Sequence, residues 1–477
     1  MTQRPSSQNR ALPRAPHRGD AGAARSVSPP SAGASGVPGR PGALRVVVLG
    51  AGAMGLAAAY RAVALGHRVT LVEAAPEPGG MAAHFSLGDL SVERFYHFVC
   101  KSDEPTFALM RELGIGDRMR WRPTSMGYFT GGALHPWGDP VSLLRFPHLS
   151  LSEKLRYGLL MFVSTRRDSW GALERQSARA WIERWCGRAV YDRLWRPLFD
   201  LKFYEYADNI SAAWIWTRIR RVGRSRRSLL QEELGYIEGG SETLVAALVR
   251  AIEAGGGRVL LREPAVRVRV EADRVAGVET ERGFHPADAV ISTVPTPLVG
   301  ALVPDLPEEW RRAYGRIANI GVVCVVLKLR RSVTPHFWVN VVEPGMPIPG
   351  IIEFSNLRAT ATGEAVVYVP YYMPVTNPLW ARPDAAFVEE SLACIARINP
   401  AVSGADLVAS HVGRLRHAQP VCPPGFRAML PPVRTPIEGL QIADTCFYYP
   451  EDRGIAESVR LGQAMAHAVQ PAGAEHD

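Results

Sequence analysis

No uncharged apolar run in this 477-residue chain approaches the roughly 18 residues a membrane-crossing helix requires. The longest, "IGVVCVVL" from Ile320 and "YGLLMFV" from Tyr157, are the size of a strand or a short amphipathic patch. None of the six cysteines falls in a C-x-x-C pair, which speaks against a zinc site or a redox dithiol. Their scatter, in a chain long enough to need no disulfides, fits a reducing cytoplasmic compartment. Acids are nearly missing from the first 44 positions, where six arginines face only Asp20. More than half of the formal charge of +9 sits there, so the body is only mildly basic and nucleic acid is not expected as a partner. Residues 1–43 also lack apolar periodicity and are rich in Pro, Gly, Ser, Ala and Arg, a composition that cannot offset its ordering entropy. They read as a disordered tail. Without the apolar core of a secretory signal, that tail is either an organelle transit peptide or a dispensable extension. No Ser-His-Asp or metal-ligand arrangement stands out, so neither a hydrolytic triad nor a bound metal is expected.

What is present begins at "RVVVLGAGAMGLAAAY", Arg45 to Tyr60. A continuous apolar run reads as a strand buried on both faces. Gly50, Gly52 and Gly55 follow in G-x-G-x-x-G spacing, with Ala53 and Met54 inside the turn. The first glycine permits the tight turn, the second lets backbone approach a diphosphate, and the third lets helix pack on sheet. The helix dipole and its first amides favour the phosphates. Gly66 is placed to end that helix. A second strand, "HRVTLVEA", delivers Glu73 about twenty residues past the glycines, where a carboxylate takes ribose hydroxyls, with Ala74 beside it. Gly79, Gly80 and Met81 come next. Further on, Ser241 reads as the cap of a helix whose Leu244, Val245, Leu248 and Ile252 share one face, and "RVLL" reads as a third parallel strand.

The stretch "LGAGAMGLAAAYRAVALGHRVTLVEAAPEPGG" resembles the N-terminus of the flavin-containing amine oxidase superfamily, which includes protoporphyrinogen oxidase and phytoene desaturases. More distantly it resembles UDP-galactopyranose mutase. Two later pieces, Gly235 to Pro295 and "GLQIADTCFYYPEDRGIAESVRLGQAMAHAV", are similar to the family's central and C-terminal segments. The resemblance implies FAD as the dinucleotide. It also implies an α/β fold: a Rossmann-like FAD-binding domain built from discontinuous segments (44–99, 232–299 and 435–472), with an inserted mixed α+β substrate domain. It places Gly79, Gly80 and Met81 near the flavin, Val266 at the adenine, Pro295 in a loop at the sheet end, Asp444 at the Asp of the last motif, and Ile455 and Ala456 at the flavin end.

Between those pieces, residues 100–231 read as a helical cap and 300–434 as substrate-domain strands with one helix. "RIRRVGRSRRS" carries Arg218, Arg220, Arg221, Arg224, Arg226 and Arg227 with no acid among them. It reads as a solvated helix face, or as contact with a phosphate-bearing substrate or an anionic membrane surface. His97, in "VERFYHFV", is either a structural residue or one that orients or deprotonates substrate. Lys202, with Tyr204 and Tyr206, lines a substrate cavity or covers a core edge, and Tyr371, Tyr372 and Trp380 are open to the same two readings.

Three departures from the family pattern turn the expectation away from amine oxidation. By spacing from Gly321, the lysine that many amine oxidases carry falls on Val325, and Lys328 lies on the opposite strand face. Met81-Ala82 stands where many have Arg, and Glu457 lies in a helix that often begins with Gly. The expectation is therefore an FAD-dependent oxidoreductase that dehydrogenates a bulky, largely apolar small molecule by hydride transfer to flavin N5, with peripheral membrane contact. The alternative is a flavin-dependent mutase acting on a nucleotide sugar without net redox change.

Overall fold

The computed structural model describes residues 42–469; the tail expected over 1–43 falls almost wholly outside them. Two sheets organise the described residues. The first is parallel, five strands in the order Arg258–Leu260, Arg68–Val72, Arg45–Leu49, Ala289–Ser292 and Leu440–Ile442. Its central strand is apolar from Val46 to Leu49 because both faces are covered. Val46 and Val48 pack with helices Ala53–Ala64, Ser241–Ala254 and Ile455–His467. Val47 and Leu49 pack against a three-stranded antiparallel sheet, 265–286, and the short helices after it. Each of the three segments that resemble the family's cofactor-binding pieces contributes to this sheet.

The second sheet has seven strands, in the order Leu407–Pro420, Asn319–Leu329, Ala365–Met373, Gly350–Glu353, Trp338–Val341, Met126–Thr130 and Ala133–Trp137. Strand Asn319–Leu329 alternates cleanly. Val322, Cys324 and Val326 face the core beneath the cavity, while Val323, Val325, Leu327 and Leu329 face helix Asp384–Ile398 through Phe387 and Ile395.

The structure corrects two expectations here. Residues 100–231 are not helical alone: Met119–Thr124, Met126–Thr130, Ala133–Trp137 and Arg226–Ser228 are strands. Met126–Thr130 pairs in parallel with Trp338–Val341, so the large sheet draws on both insertions. The short apolar stretch "MGYFT" satisfies its backbone groups between two neighbours, Trp338–Val341 on one side and Ala133–Trp137, antiparallel, on the other. Ser241 is also not the cap of its helix. Gly240 occupies that place, and the Glu93 carboxylate accepts from the Ser241 amide at 2.9 Å, doing the capping from a distant strand.

Candidate cofactor and substrate cavity

Strand Arg45–Leu49 ends at Gly50, whose φ of +96° turns the chain back toward the sheet. A Cβ on Gly55 would fall 1.9 Å from the Gly50 carbonyl oxygen, so strand and helix meet there without room for any side chain. At Gly52 the situation is reversed: nothing lies within 4 Å of where its Cβ would be, and the position faces a cavity of about 740 Å³. The helix that starts there has no side-chain cap and no acid in its first turn. Its leading amides are therefore available to an anion. The Gly79–Gly80 pair lies against this turn, with the Gly79 amide donating to the Ala51 carbonyl at 2.8 Å.

Glu73 follows strand Arg68–Val72 and lines the cavity. Its carboxylate accepts from the Ala51 amide at 2.7 Å and the Ala75 amide at 2.8 Å, so it also braces the glycine turn. Ala53, Met54, Ala74, Met81, Val266 and Pro295 line the same cavity. Asp444 lines it too, but its carboxylate is engaged by the amides of Thr296 and Cys446 at 2.6 and 2.9 Å; it ties two loops together at the sheet end. Ile455 reaches the cavity, whereas Ala456 is buried behind it.

The far end of the cavity is built from the large sheet. Val322, Cys324, Trp338, Pro370, Tyr372 and Leu415 form its wall, with Tyr96 set edge-on to Trp338 at 5.3 Å. His97 lies on the lining, and its Nδ1 is buried without a partner. Burial pushes its pKa down to about 4, so the imidazole is neutral at pH 7. Lys202 does not line the cavity. Its Nζ sits behind the wall, 4.8 Å from the Tyr372 ring and 5.1 Å from that of Trp214, and burial lowers its pKa well below that of a free lysine. Tyr204, Tyr206, Tyr371 and Trp380 are likewise off the lining. The Tyr371 hydroxyl is 3.0 Å from Ser391 Oγ, on the opposite face of the sheet.

The model of the flavin containing amine oxidoreductase family matches residues 55–445. The chain belongs to this family. It is 24% identical over 467 residues to a 15-cis-phytoene desaturase of an Oncidium hybrid cultivar, covering 89% of this chain and 78% of that protein. Among solved structures, a putative protoporphyrinogen oxidase from Exiguobacterium sp. 255-15 superposes with a TM-score of 0.68 at 19% identity, covering 89% of this chain and 98% of the other. Reduced UDP-galactopyranose mutase also gives 0.68, at 15% identity, covering 89% and 93%. The protein is an FAD-dependent oxidoreductase.

The cavity of this flavoprotein fits the cofactor. It has open space at Gly52, uncapped helix amides for a diphosphate, and a carboxylate at Glu73 where a ribose is expected. The position expected for the amine-oxidase lysine, Val325, is not on the cavity side. Val325 points away from the cavity, into the core under helix Asp384–Ile398, and Val322 and Cys324 hold the cavity side. Strand parity decides this, because side chains two apart share a face. Lys328 is on the cavity-side face but lies beyond the lining, paired with Asp89 and, at 2.7 Å, with Glu364. Among the described residues, no lysine lines the cavity.

The arginine run is a solvated face only in part, with Arg224 and Arg227 exposed. Acids from distant segments meet it: Arg218 pairs with Asp452, Arg221 with Asp103, and Arg220 and Arg224 with Asp168. Arg218 and Arg221 line the cavity, together with Arg94, Arg414 and Arg453. Arg414 pairs with Asp384. Among the described residues, no carboxylate lies within 4.0 Å of Arg94 or Arg453. Arg453 instead donates to the Ala418 carbonyl and, at 3.3 Å, to the Tyr372 hydroxyl. Sequence reasoning missed Arg94, Trp338 and Arg453. A lone arginine beside a glycine, as in "EDRG", was the only signal for the last of them.

Proposed function

We propose that this enzyme dehydrogenates a bulky, largely apolar small molecule. The apolar and aromatic wall formed by Val322, Cys324, Trp338, Pro370 and Tyr372 carries this reading, since a cavity so lined favours a hydrocarbon surface. In this reading the turn from Gly50 to Gly55 holds the FAD diphosphate, Glu73 the ribose and Val266 the adenine, with Gly79, Gly80, Met81, Pro295 and Ile455 toward the flavin. Bound FAD supplies the hydride acceptor, its N5. The chain's own contribution is position and a dry wall. His97, neutral and with an open Nδ1, orients the reacting end of the substrate by a hydrogen bond. Lys202 acts from behind the wall, its Nζ packed 4.8 Å from the Tyr372 ring and fixing the plane of that ring. Peripheral membrane contact belongs with this reading, because a bulky apolar molecule resides in a bilayer rather than in water.

The test is anaerobic mixing of the oxidised, FAD-loaded protein with a lipid extract of its source cells, followed by flavin absorbance. Bleaching is expected. A spectrum that stays oxidised with every apolar fraction overturns the proposal.

A second reading, rearrangement of a nucleotide sugar without net redox change, is favoured by one observation. Arg94 and Arg453 line the cavity without carboxylate partners, as a site for an anionic substrate would require. It predicts isomerised sugar after incubation with dithionite-reduced protein, and no bleaching of the oxidised protein by lipid.

A further inference from the structure

Soluble surfaces scatter their exposed apolar side chains, and a contiguous patch marks a contact. Here the scatter fails at one place. Helix Leu151–Arg166 presents Leu151, Leu155, Leu159 and Phe162 at spacings of four, four and three, which is one face of a helix, and their exposures are 65%, 63%, 52% and 55%. The opposite face, through Tyr157, Leu160 and Ser164, is buried in the core. Lys154 Nζ donates to the Leu144 carbonyl at 2.7 Å, tying this helix to Pro140–Arg145, where Val141 and Leu144 are also exposed. Arg226 Nη1 donates to the Gly138 carbonyl at 3.0 Å, and its Nη2 to the Leu229 carbonyl. The tip carrying Leu229 and Leu230, 79% and 61% exposed, is thereby held beside the same patch.

The unpaired charges on this face are of one sign. Among the described residues, no carboxylate lies within 4.0 Å of Arg145, Lys154, Arg156, Arg166, Arg167 or Arg227, whereas the acids of the region are engaged. Glu153 pairs with Arg193 and Asp168 with Arg220 and Arg224. Arg166 lies 4.8 Å from the Phe162 ring, a cation at the rim of the apolar stripe. Apolar residues ringed by unpaired cations match the boundary of an anionic bilayer, where acyl chains meet phosphate.

We propose that this face, helices Pro140–Arg145 and Leu151–Arg166 with the 229–230 tip, seats the protein on an anionic phospholipid bilayer, helix Leu151–Arg166 lying in the plane of the surface with its leucines among the acyl chains. The inference rests on the membrane contact proposed above and names the surface that makes it. No helix of the described residues is long and apolar enough to cross a membrane, so contact through this face is in-plane.

Full-length, flavin-loaded protein is sedimented with phosphatidylcholine vesicles, with and without phosphatidylglycerol, at low salt. Binding to the phosphatidylglycerol vesicles is expected. It falls at least about tenfold in the double variant Leu155→Asn, Leu159→Asn, and about fivefold in Arg166→Gln. Both variants alter exposed side chains and keep the wild-type flavin spectrum. Wild type that stays in the supernatant with both vesicle types removes the membrane contact itself. Binding that the variants retain removes this face and leaves membrane contact standing elsewhere. A wild-type dimer in lipid-free buffer that the double variant splits makes the face a contact between two copies, and also overturns the proposal.

Discussion

Arg221 grips Asp103 with two bonds across 118 positions: Nη2 to Oδ2 at 2.6 Å and Nε to Oδ1 at 3.2 Å. The same carboxylate accepts from the Cys100 amide at 3.0 Å, which fixes the turn into helix Glu104–Glu112. Both residues belong to the insertion 100–231: at the cavity wall the pair ties helix Ala212–Arg224 to the start of helix Glu104–Glu112, whose Leu109 and Met110 pack in the core of the cofactor domain. Removing the guanidinium strands a nearly buried carboxylate. Arg221→Gln is expected to lower stability by roughly 2 kcal/mol in urea unfolding, less than a fully buried pair because the arginine keeps some solvent. Arg220→Gln serves as the contrast: its partner Asp168 is largely exposed, and the change is expected to stay within about 0.5 kcal/mol. Equal effects of the two substitutions would contradict this account.

Glu73 is expected to matter twice, through the ribose and through the glycine turn it braces. Glu73→Ala deletes acceptors for the Ala51 and Ala75 amides. Loss of charge-assisted hydrogen bonds of this kind weakens FAD binding by at least about tenfold. Flavin release on dilution, followed by fluorescence, reads the change, and unaltered affinity means that the carboxylate does neither job.

Gly55→Ala places a methyl 1.9 Å from the Gly50 carbonyl oxygen, a backbone atom that cannot swing aside. The turn must open, at a cost of about 3 kcal/mol or more. The purified variant is expected to be colourless or insoluble. A yellow, stable Gly55→Ala protein would show that the strand and helix have slack here. Gly52→Ala has no such clash inside the protein and is expected to fold while holding FAD more weakly.

His84 and His97 are both held near a pKa of about 4 by burial, against 6.5 for an ordinary histidine. Between about 4 and 6.5 the unfolded chain takes up protons that the folded protein refuses. Stability from this source is thus complete above 6.5 and falls as the pH drops through the window, by roughly 1 kcal/mol per pH unit for each histidine. Burial raises the pKa of Glu93, whose Oε1 lies 3.9 Å from His84 Nε2, and this works in the opposite sense. The clean comparison is therefore wild type against His97→Asn. Midpoints of thermal unfolding from pH 4 to 7 should show a shallower fall in the variant; parallel curves would mean that His97 is protonated in the fold.

The glycine turn was legible in the sequence because its requirements are local: a left-handed Gly50, a crowded Gly55 and an open Gly52 lie within six residues. The parallel sheet was legible for a related reason, since each of its strands is a short apolar run beside a turn or helix signal. The far wall was not. Tyr372 was a candidate, but Arg94, Trp338 and Arg453 come from three other segments, and no spacing rule joins them to it. The arginine run misled for the same reason, because its neutralising acids lie at positions 103, 168 and 452. The error at Val325 was one of parity. A position inferred by spacing from Gly321 landed on the far face of a strand whose register with Leu407–Pro420 shifts between Ile320 and Val322.

The order in which the chain supplies its strands has a kinetic consequence. Met126–Thr130 waits for Trp338–Val341, more than two hundred residues later, and the parallel sheet receives its last strand, Leu440–Ile442, near the end of the described chain. Non-local pairings of this kind are slow to form and leave edges open in the meantime. Asp444, Arg453 and Ile455 come later still. No nascent chain that stops short of residue 440 possesses a closed cavity, so during synthesis the glycine turn is finished long before there is a chamber for the cofactor it is shaped to hold.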